Sequence, residues 1–212
     1  MKNKISWWRT SFGNNEIKAI SKSILLERIS QGPEVEKLEK KLSEMLNCKY
    51  VIATTSGSMA LLMSCMAANI KPGDEVIIPN RTWIATAHAP LLLGAKVKLI
   101  DVKKNIPIID EKLIEKKINK KTKAIILVHM GGRCANNLKI LRIAKKYNIV
   151  VIEDAAQALG SKNKYTTPGK NSDMACYSFS VAKIISTGQG GFITTNNKYV
   201  YNSTYFIWRL DR

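Results

Sequence analysis

Seven short apolar runs punctuate the chain, at residues 50–54, 75–79, 96–101, 123–128, 149–154, 175–179 and 191–195. Each is rich in β-branched residues and closes near a polar or Gly-containing turn. Their near-continuous apolar character predicts strands covered on both faces rather than one. Helix-period stretches separate them. Residues 58–68 are apolar almost all round, which predicts a deeply buried helix. Asp110 can cap a helix whose Leu113, Ile114 and Ile118 form an apolar stripe with lysines outside. In 138–147, Leu138, Leu141, Ile143 and Ala144 define an inner side, and Lys145-Lys146 near the C-terminus suits the helix dipole. Residues 14–26 and 34–46 are also helix-periodic, broken by Gln31-Gly32-Pro33 with Pro33 fit for a first helical turn. Strands alternating with helices in this way predict an α/β three-layer sandwich with a mostly parallel, seven-stranded sheet. Chemistry in such sheets gathers at the carboxyl ends of the strands.

Composition narrows the field. The 212 residues are 45% hydrophobic, which argues against wholesale disorder, and 34 Lys+Arg against 16 Asp+Glu leave a net charge of +18. A balance so basic is also the footprint of a nucleic-acid or membrane-surface binder. Here the lysines are scattered, and the densest cluster, 112–123, is flanked or interrupted by Asp110, Glu111 and Glu115. Solvated faces account for it, so neither nucleic acid nor membrane is expected as a partner. Cys48, Cys65, Cys134 and Cys176 share no C-x-x-C spacing, which predicts reduced, packed thiols with no metal site. No apolar run reaches the roughly 18 residues of a membrane span, and the basic N-terminus lacks a leader-type apolar core, so a cytoplasmic protein is expected.

Three segments carry candidate chemistry. Thr54-Thr55-Ser56-Gly57-Ser58-Met59 joins the first strand to the buried helix, and a turn there offers free N–H groups and a positive dipole end to an anion. It matches neither the P-loop nor the dinucleotide fingerprint. Glu153-Asp154-Ala155-Ala156-Gln157 ends a strand with two acids directed at the carboxyl edge, where a buried carboxylate wants a cation or donors. Lys183 follows Ser178-Phe179-Ser180-Val181-Ala182 and precedes the Gly-rich Gly188-Gln189-Gly190-Gly191. A desolvated lysine has a lowered pKa and can serve as a Schiff-base amine. Singly, each has a plain alternative: a Ser N-cap, an Asp N-cap and a solvated lysine. Together, an anion cradle, an acid and a lysine at strand ends are the parts that hold pyridoxal 5'-phosphate.

At these residues the sequence resembles the DegT/DnrJ/EryC1/StrS family of sugar aminotransferases, pyridoxal-phosphate enzymes of fold type I. The resemblance runs from about residue 29 to 195 and includes Ser30-Gln31-Gly32-Pro33, Thr55-Ser56-Gly57-Ser58, Lys71-Pro72-Gly73-Asp74, Val128-His129, Glu153-Asp154-Ala155-Ala156-Gln157, and Ser178-Phe179 ahead of Lys183. It implies that Lys183 bonds the cofactor and shuttles a proton, and that Asp154 keeps the pyridinium nitrogen protonated. Gln157 would lie near the ring hydroxyl, Gly57, Ser58 and Ser178 would cradle the phosphate, and Trp83 would stack on the ring. Without the resemblance Trp83 reads as core. His88 and His129 read as structural or supporting, with His129 able to approach the cofactor.

The implied activity is transfer of an amino group from L-glutamate to a nucleotide-linked keto sugar by a homodimer. The resemblance also implies an N-terminal helical arm at 1–35, a cofactor-binding large domain at 36–205, and at 206–212 the start of a connection to a small C-terminal domain. Sugar dehydratases of the family carry histidine in place of the lysine, so Lys183 favours the aminotransferases. Two alternatives stand beside this reading: a catalytically incomplete or split enzyme, and a basic nucleic-acid-binding or scaffold protein. Asn136-Asn137 departs from the family's usual acid and leaves local helix capping open.

Overall fold

A computed structural model describes residues 5–6, 8–164 and 166–208. Its main sheet has seven strands: β1 Tyr50–Thr54, β2 Glu75–Pro79, β3 Lys96–Ile100, β6 Thr122–Val128, β7 Val150–Asp154, β8 Met174–Ser178 and β9 Gly191–Thr195. A two-stranded hairpin, β4 Val102–Lys103 with β5 Ile106–Ile109, lies outside it. The spatial order is β1-β9-β8-β7-β6-β2-β3. Only β9 runs antiparallel to its neighbours β1 and β8; the pairs β8·β7, β7·β6, β6·β2 and β2·β3 are parallel. The expected mostly parallel seven-stranded sheet is therefore present, and six strands end at the same edge.

The helices are α1 Asn14–Leu25, α2 Pro33–Leu46, α3 Gly57–Ala67, α4 Ala85–Leu92, α5 Glu111–Lys117, α6 Asn137–Tyr147 and α7 Lys198–Trp208. Period-two alternation sorts the strand residues onto two faces. Val76, Ile78, Ala124, Ile126, Ile152, Met174, Cys176 and Ile193 pack with Ala60, Leu61, Met63 and Cys65 of α3, Ala85 and Ala89 of α4, and Val200 of α7. The opposite face carries Ile77, Ile125, Leu127 and Val151 under Ile114 of α5 and Ile140 and Ala144 of α6. Further along it, Val51, Ala175, Tyr177 and Phe192 pack on Leu42 of α2. Helices cover both faces, which makes the three layers. The all-round apolar α3 buries five of its residues, as its composition predicts.

Several details differ from the sequence pattern. In α6 the buried line is Asn137, Ile140 and Ala144, whereas Leu138, expected inside, is exposed. Asn137, Ile140 and Ala144, three and four apart, form the line that faces the sheet, and Leu138, two residues before Ile140, therefore points to the opposite side. The pattern does not announce α4, whose start is rich in Thr and which contains Pro90, or α7, whose Tyr-Val-Tyr run reads as strand. α7 is set instead by its leading asparagine: Asn197 Oδ1 accepts from Tyr199 N at 2.8 Å. The hairpin strand β5 contains Pro107, which the periodicity rules count against a strand and which an edge tolerates. α1 forms as expected, with Glu16 accepting from Gly13 N at 2.6 Å, yet among the described residues it buries none of its side chains. Residues 209–212 of the expected C-terminal connection lie outside the described residues.

One close approach ties the β1-β9-β8 side of the sheet together. A Cβ at Gly191 would stand 2.6 Å from Tyr177 O and 2.7 Å from Gly57 N and Ser56 C, all of them backbone atoms. The β8–β9 and β1–α3 junctions meet there, so Gly191→Ala should lower stability by about 1–3 kcal/mol through overpacking. Urea denaturation compared with wild type measures it; an unchanged midpoint would show that the junction can relax.

Candidate functional site

Because β1, β2, β6, β7 and β8 run in one direction, the residues following them converge on one edge. β1 leads into α3 through Ser56, whose Oγ caps the helix by accepting from Met59 N at 3.1 Å. The next N–H groups, Gly57 and Ser58, have no partner inside the helix, as in any first turn. Above them lies Ser178 at the end of β8. A Cβ at Gly57 would come 2.8 Å from Ser178 Cβ and 3.2 Å from its Oγ, so the absence of a side chain lets the hydroxyl lie against the helix start. The Ser178 hydroxyl is thus brought, from far along the sequence, beside the first N–H groups and positive dipole end of α3 at Gly57-Ser58, a set of donors suited to an anion.

Asp154 ends β7 on the same face, since it alternates with Ile152, and Ser178 alternates with Cys176 in the same way. Its carboxylate is buried, and among the described residues it makes no ion pair. Oδ2 accepts from Thr86 Oγ1 at 2.6 Å and Oδ1 from Ala156 N at 3.2 Å. Thr86 Oγ1 in turn lies 2.7 Å from Thr82 Oγ1. Sequence reasoning missed Thr86; the signal available was its place one helical turn after Trp83 in the same segment. Trp83 itself is 73% exposed, so it belongs to the edge and not to the core.

Glu153 corrects the sequence reading. The two acids do not share the carboxyl edge: successive strand residues face opposite ways, and Glu153 is wholly buried on the other face with His129 and Asn137. His129 is accordingly a structural partner on the face away from Asp154. His88 is exposed at α4. Gln157 lies in the turn after β7, its Oε1 accepting from Gly131 N at 2.6 Å. Asn136, at the N-cap of α6, makes no side-chain cap bond.

Lys183 sits half-buried in the β8–β9 connection. That connection is closed by Phe179 N to Gly190 O at 2.9 Å and Thr187 N to Phe179 O at 3.0 Å, and Lys183 N donates to Ser180 O at 3.0 Å. Burial lowers the lysine's pKa, opposed by the charge of Asp154. Burial likewise raises the pKa of Asp154, opposed by the Thr86 and Ala156 hydrogen bonds and by Lys183. Both shifts have the same meaning: a buried acid that Lys183 approaches without an ion-pair contact among the described residues. Such a carboxylate fits a ligand bearing a cationic N–H, and the nearby donor cluster fits a phosphate. The residues present therefore fit pyridoxal phosphate.

The sign for stability follows. Asp154 holds its proton more tightly folded than unfolded, so its own contribution to stability is full at low pH and is lost as pH rises from the ordinary value of 3.8 through the folded value. Asp154→Asn removes this loss. Without ligand, the stability of wild type relative to the variant should fall as pH rises above 3.8, read by urea denaturation of both across pH. A wild-type-minus-variant difference that grows with pH would contradict the assignment.

The model of the DegT/DnrJ/EryC1/StrS aminotransferase family matches residues 10–208. UDP-2-acetamido-2-deoxy-3-oxo-D-glucuronate aminotransferase from Pseudomonas aeruginosa is 43% identical over 167 residues, 78% of this chain and 46% of the relative. An aminotransferase from Psychrobacter cryohalolentis superposes with a TM-score of 0.90 at 33% identity, covering 95% of this chain and 52% of that one. A GDP-4-keto-6-deoxymannose-3-dehydratase crystallised with a trapped PLP-glutamate geminal diamine superposes with a TM-score of 0.89 at 26% identity, covering 96% and 54%. The chain thus spans about half the length of the relatives it matches. By the extent of the family match and the shared fold, this chain belongs to the DegT/DnrJ/EryC1/StrS aminotransferase family.

Proposed function

We propose that the chain binds pyridoxal 5'-phosphate and serves in the transfer of an amino group from L-glutamate to a nucleotide-linked keto sugar. The observation that carries this reading is the convergence, at one sheet edge, of the half-buried Lys183, the buried Asp154 and the donor cluster of Gly57, Ser58 and Ser178. Family membership supports the reaction class, the Pseudomonas relative supports a nucleotide-sugar substrate, and the dehydratase structure with PLP and glutamate supports both cofactor and donor.

When bound, the cofactor's ring withdraws electrons from the carbon being deprotonated. The chain's residues do the rest. The Gly57 and Ser58 N–H groups and the Ser178 hydroxyl hold the phosphate, and the α3 dipole adds to the attraction. Asp154 accepts the ring N–H and keeps the proton on that nitrogen. Thr86 fixes the carboxylate in place by donating to Oδ2. Gln157 lies toward the ring hydroxyl, and Trp83 gives the ring a flat apolar wall that excludes water. Lys183 would hold the cofactor through its Nζ. The same Nζ, with its pKa lowered by burial, would take the proton from the substrate carbon and return it.

The same reading gives residues 36–205 the cofactor-binding role, 1–35 an arm, and 206–212 the start of a connection. Trp83, Ile84, Ile184 and Ile185 are exposed apolar side chains on the loops of this edge, which fits a homodimer that covers them.

Mixed with pyridoxal phosphate, the wild-type chain should develop a visible absorbance band that shifts when L-glutamate is added. Lys183→Ala should lack the band and slow the reaction with glutamate by on the order of 10²–10⁴-fold. Folded wild-type protein with no band would overturn the role given to Lys183.

A further inference from the structure

Beneath the site, on the opposite face of the sheet, lies a polar cluster that the reaction itself does not use. His129, Glu153 and Asn137 are all fully buried. Ala135 N donates to His129 Nδ1 at 3.0 Å, which makes Nδ1 an acceptor and leaves Nε2 to donate to Glu153 Oε2 at 2.7 Å. Glu153 accepts two further bonds, from Asn137 Nδ2 to Oε1 at 3.1 Å and from Gly169 N to Oε2 at 3.1 Å. Burial raises the pKa of this carboxyl, but the His129 and Asn137 contacts outweigh it and hold the group below its usual value. Three donors around one buried carboxylate make a rigid joint, because each bond lost inside would leave a polar group unpaired.

The joint is connected directly to the ligand edge. The His129 ring is anchored on Glu153, while its backbone N–H donates to Asp154 O at 3.0 Å. The next residues, Met130–Gly132, form a single 3₁₀ turn closed by Gly132 N to His129 O at 3.1 Å. From that turn Gly131 N donates to Gln157 Oε1 at 2.6 Å. An N–H can bond only the oxygen of the side-chain amide, so this contact decides which way the amide faces. Its Nε2 is left as the free end, a donor.

We propose that His129 and Glu153 are positioning residues that fix the 129–132 turn so that Gly131 holds Gln157 by its oxygen and presents the amide Nε2 as a donor toward the ligand. The chemistry that end recognises is an anionic or hydrogen-bond-accepting oxygen. Resting on the cofactor reading above, that oxygen is the ring hydroxyl oxygen of pyridoxal phosphate in its ionised form. Neither His129 nor Glu153 touches the ligand; they act through the turn.

Two readouts test this. The first is amide hydrogen exchange of Gly131 in the ligand-free chain by NMR, with Ile126 and Ile152 in β6 and β7 as internal references. Gln157→Ala removes the acceptor and should speed exchange at Gly131 by about five- to tenfold, the scale of one lost hydrogen bond. Glu153→Gln, nearly isosteric, should speed it by a similar factor while the reference amides keep their protection, and His129→Asn provides the second variant if the first folds poorly. The second is the dissociation constant for pyridoxal phosphate. Glu153→Gln and Gln157→Ala should each weaken binding by about five- to tenfold, and the double variant should be no weaker than the weaker single one, since both act through one amide. A role confined to general stability would make the two losses multiply. Unchanged Gly131 exchange in both Glu153→Gln and His129→Asn, or multiplying losses, would overturn the proposal. Expected exchange behaviour in a wild-type chain that does not bind pyridoxal phosphate would bear out the positioning of Gln157 and overturn the cofactor reading instead.

Discussion

A buried carboxylate without a contacting cation, Asp154, is the constraint around which the rest of the site is arranged. Removing a charge from water is costly unless donors replace the lost hydration. Two short-range donors do so, the Thr86 hydroxyl from α4 and the Ala156 amide from the turn beyond β7. Thr86 can reach because α4 packs its Ala85 and Ala89 against the same sheet face that Asp154 joins through strand alternation. The arrangement holds the acid in place while leaving it short of positive charge, which is the condition a cationic ligand relieves. Stability of the empty chain and affinity for the ligand therefore pull in opposite directions at this residue.

The neighbouring Glu153 shows the other way to bury an acid. It is surrounded by donors from His129, Asn137 and Gly169 and is fully satisfied. One residue of displacement along β7 exchanges a ligand-seeking carboxylate for a structural one, because the two side chains emerge on opposite faces. Both acids then serve one edge: Asp154 directly, and Glu153 through the turn that carries Gly131. The remaining geometry at that edge comes from direction. Parallel strands bring the starts of α3 and α4 and the end of β8 together, and antiparallel β9 returns the Lys183 connection to the same place at Gly191.

The charge of +18 contributes little to any of this. Lys98 pairs with Glu75 and Lys103 with the buried Glu111, while Lys146 and Glu115 form an exposed pair that water screens and that adds little to stability. Most of the other described lysines are exposed to solvent, Lys183 being an exception. Among the described residues no helix is long and apolar enough to cross a membrane.

The strands were legible in the sequence because central parallel strands are buried on both faces, and continuous β-branched runs have few other uses. α3 was legible for the same reason. α4, α7 and β5 were not: their residues carry mixed or contrary propensities, and packing against an existing sheet or an asparagine cap overrides those. At the site, the sequence alone determined which residue types stand at strand ends, and hence Lys183, Asp154 and the Gly57-Ser58 turn as candidates. Only the tertiary structure decided that Ser178 lies against Gly57, that Thr86 holds Asp154, and that Glu153 belongs with His129 instead of the edge. The reason is physical. A strand's period is written along the chain, but which side chains meet across strands and helices depends on register and face, and those are fixed only when the sheet is assembled.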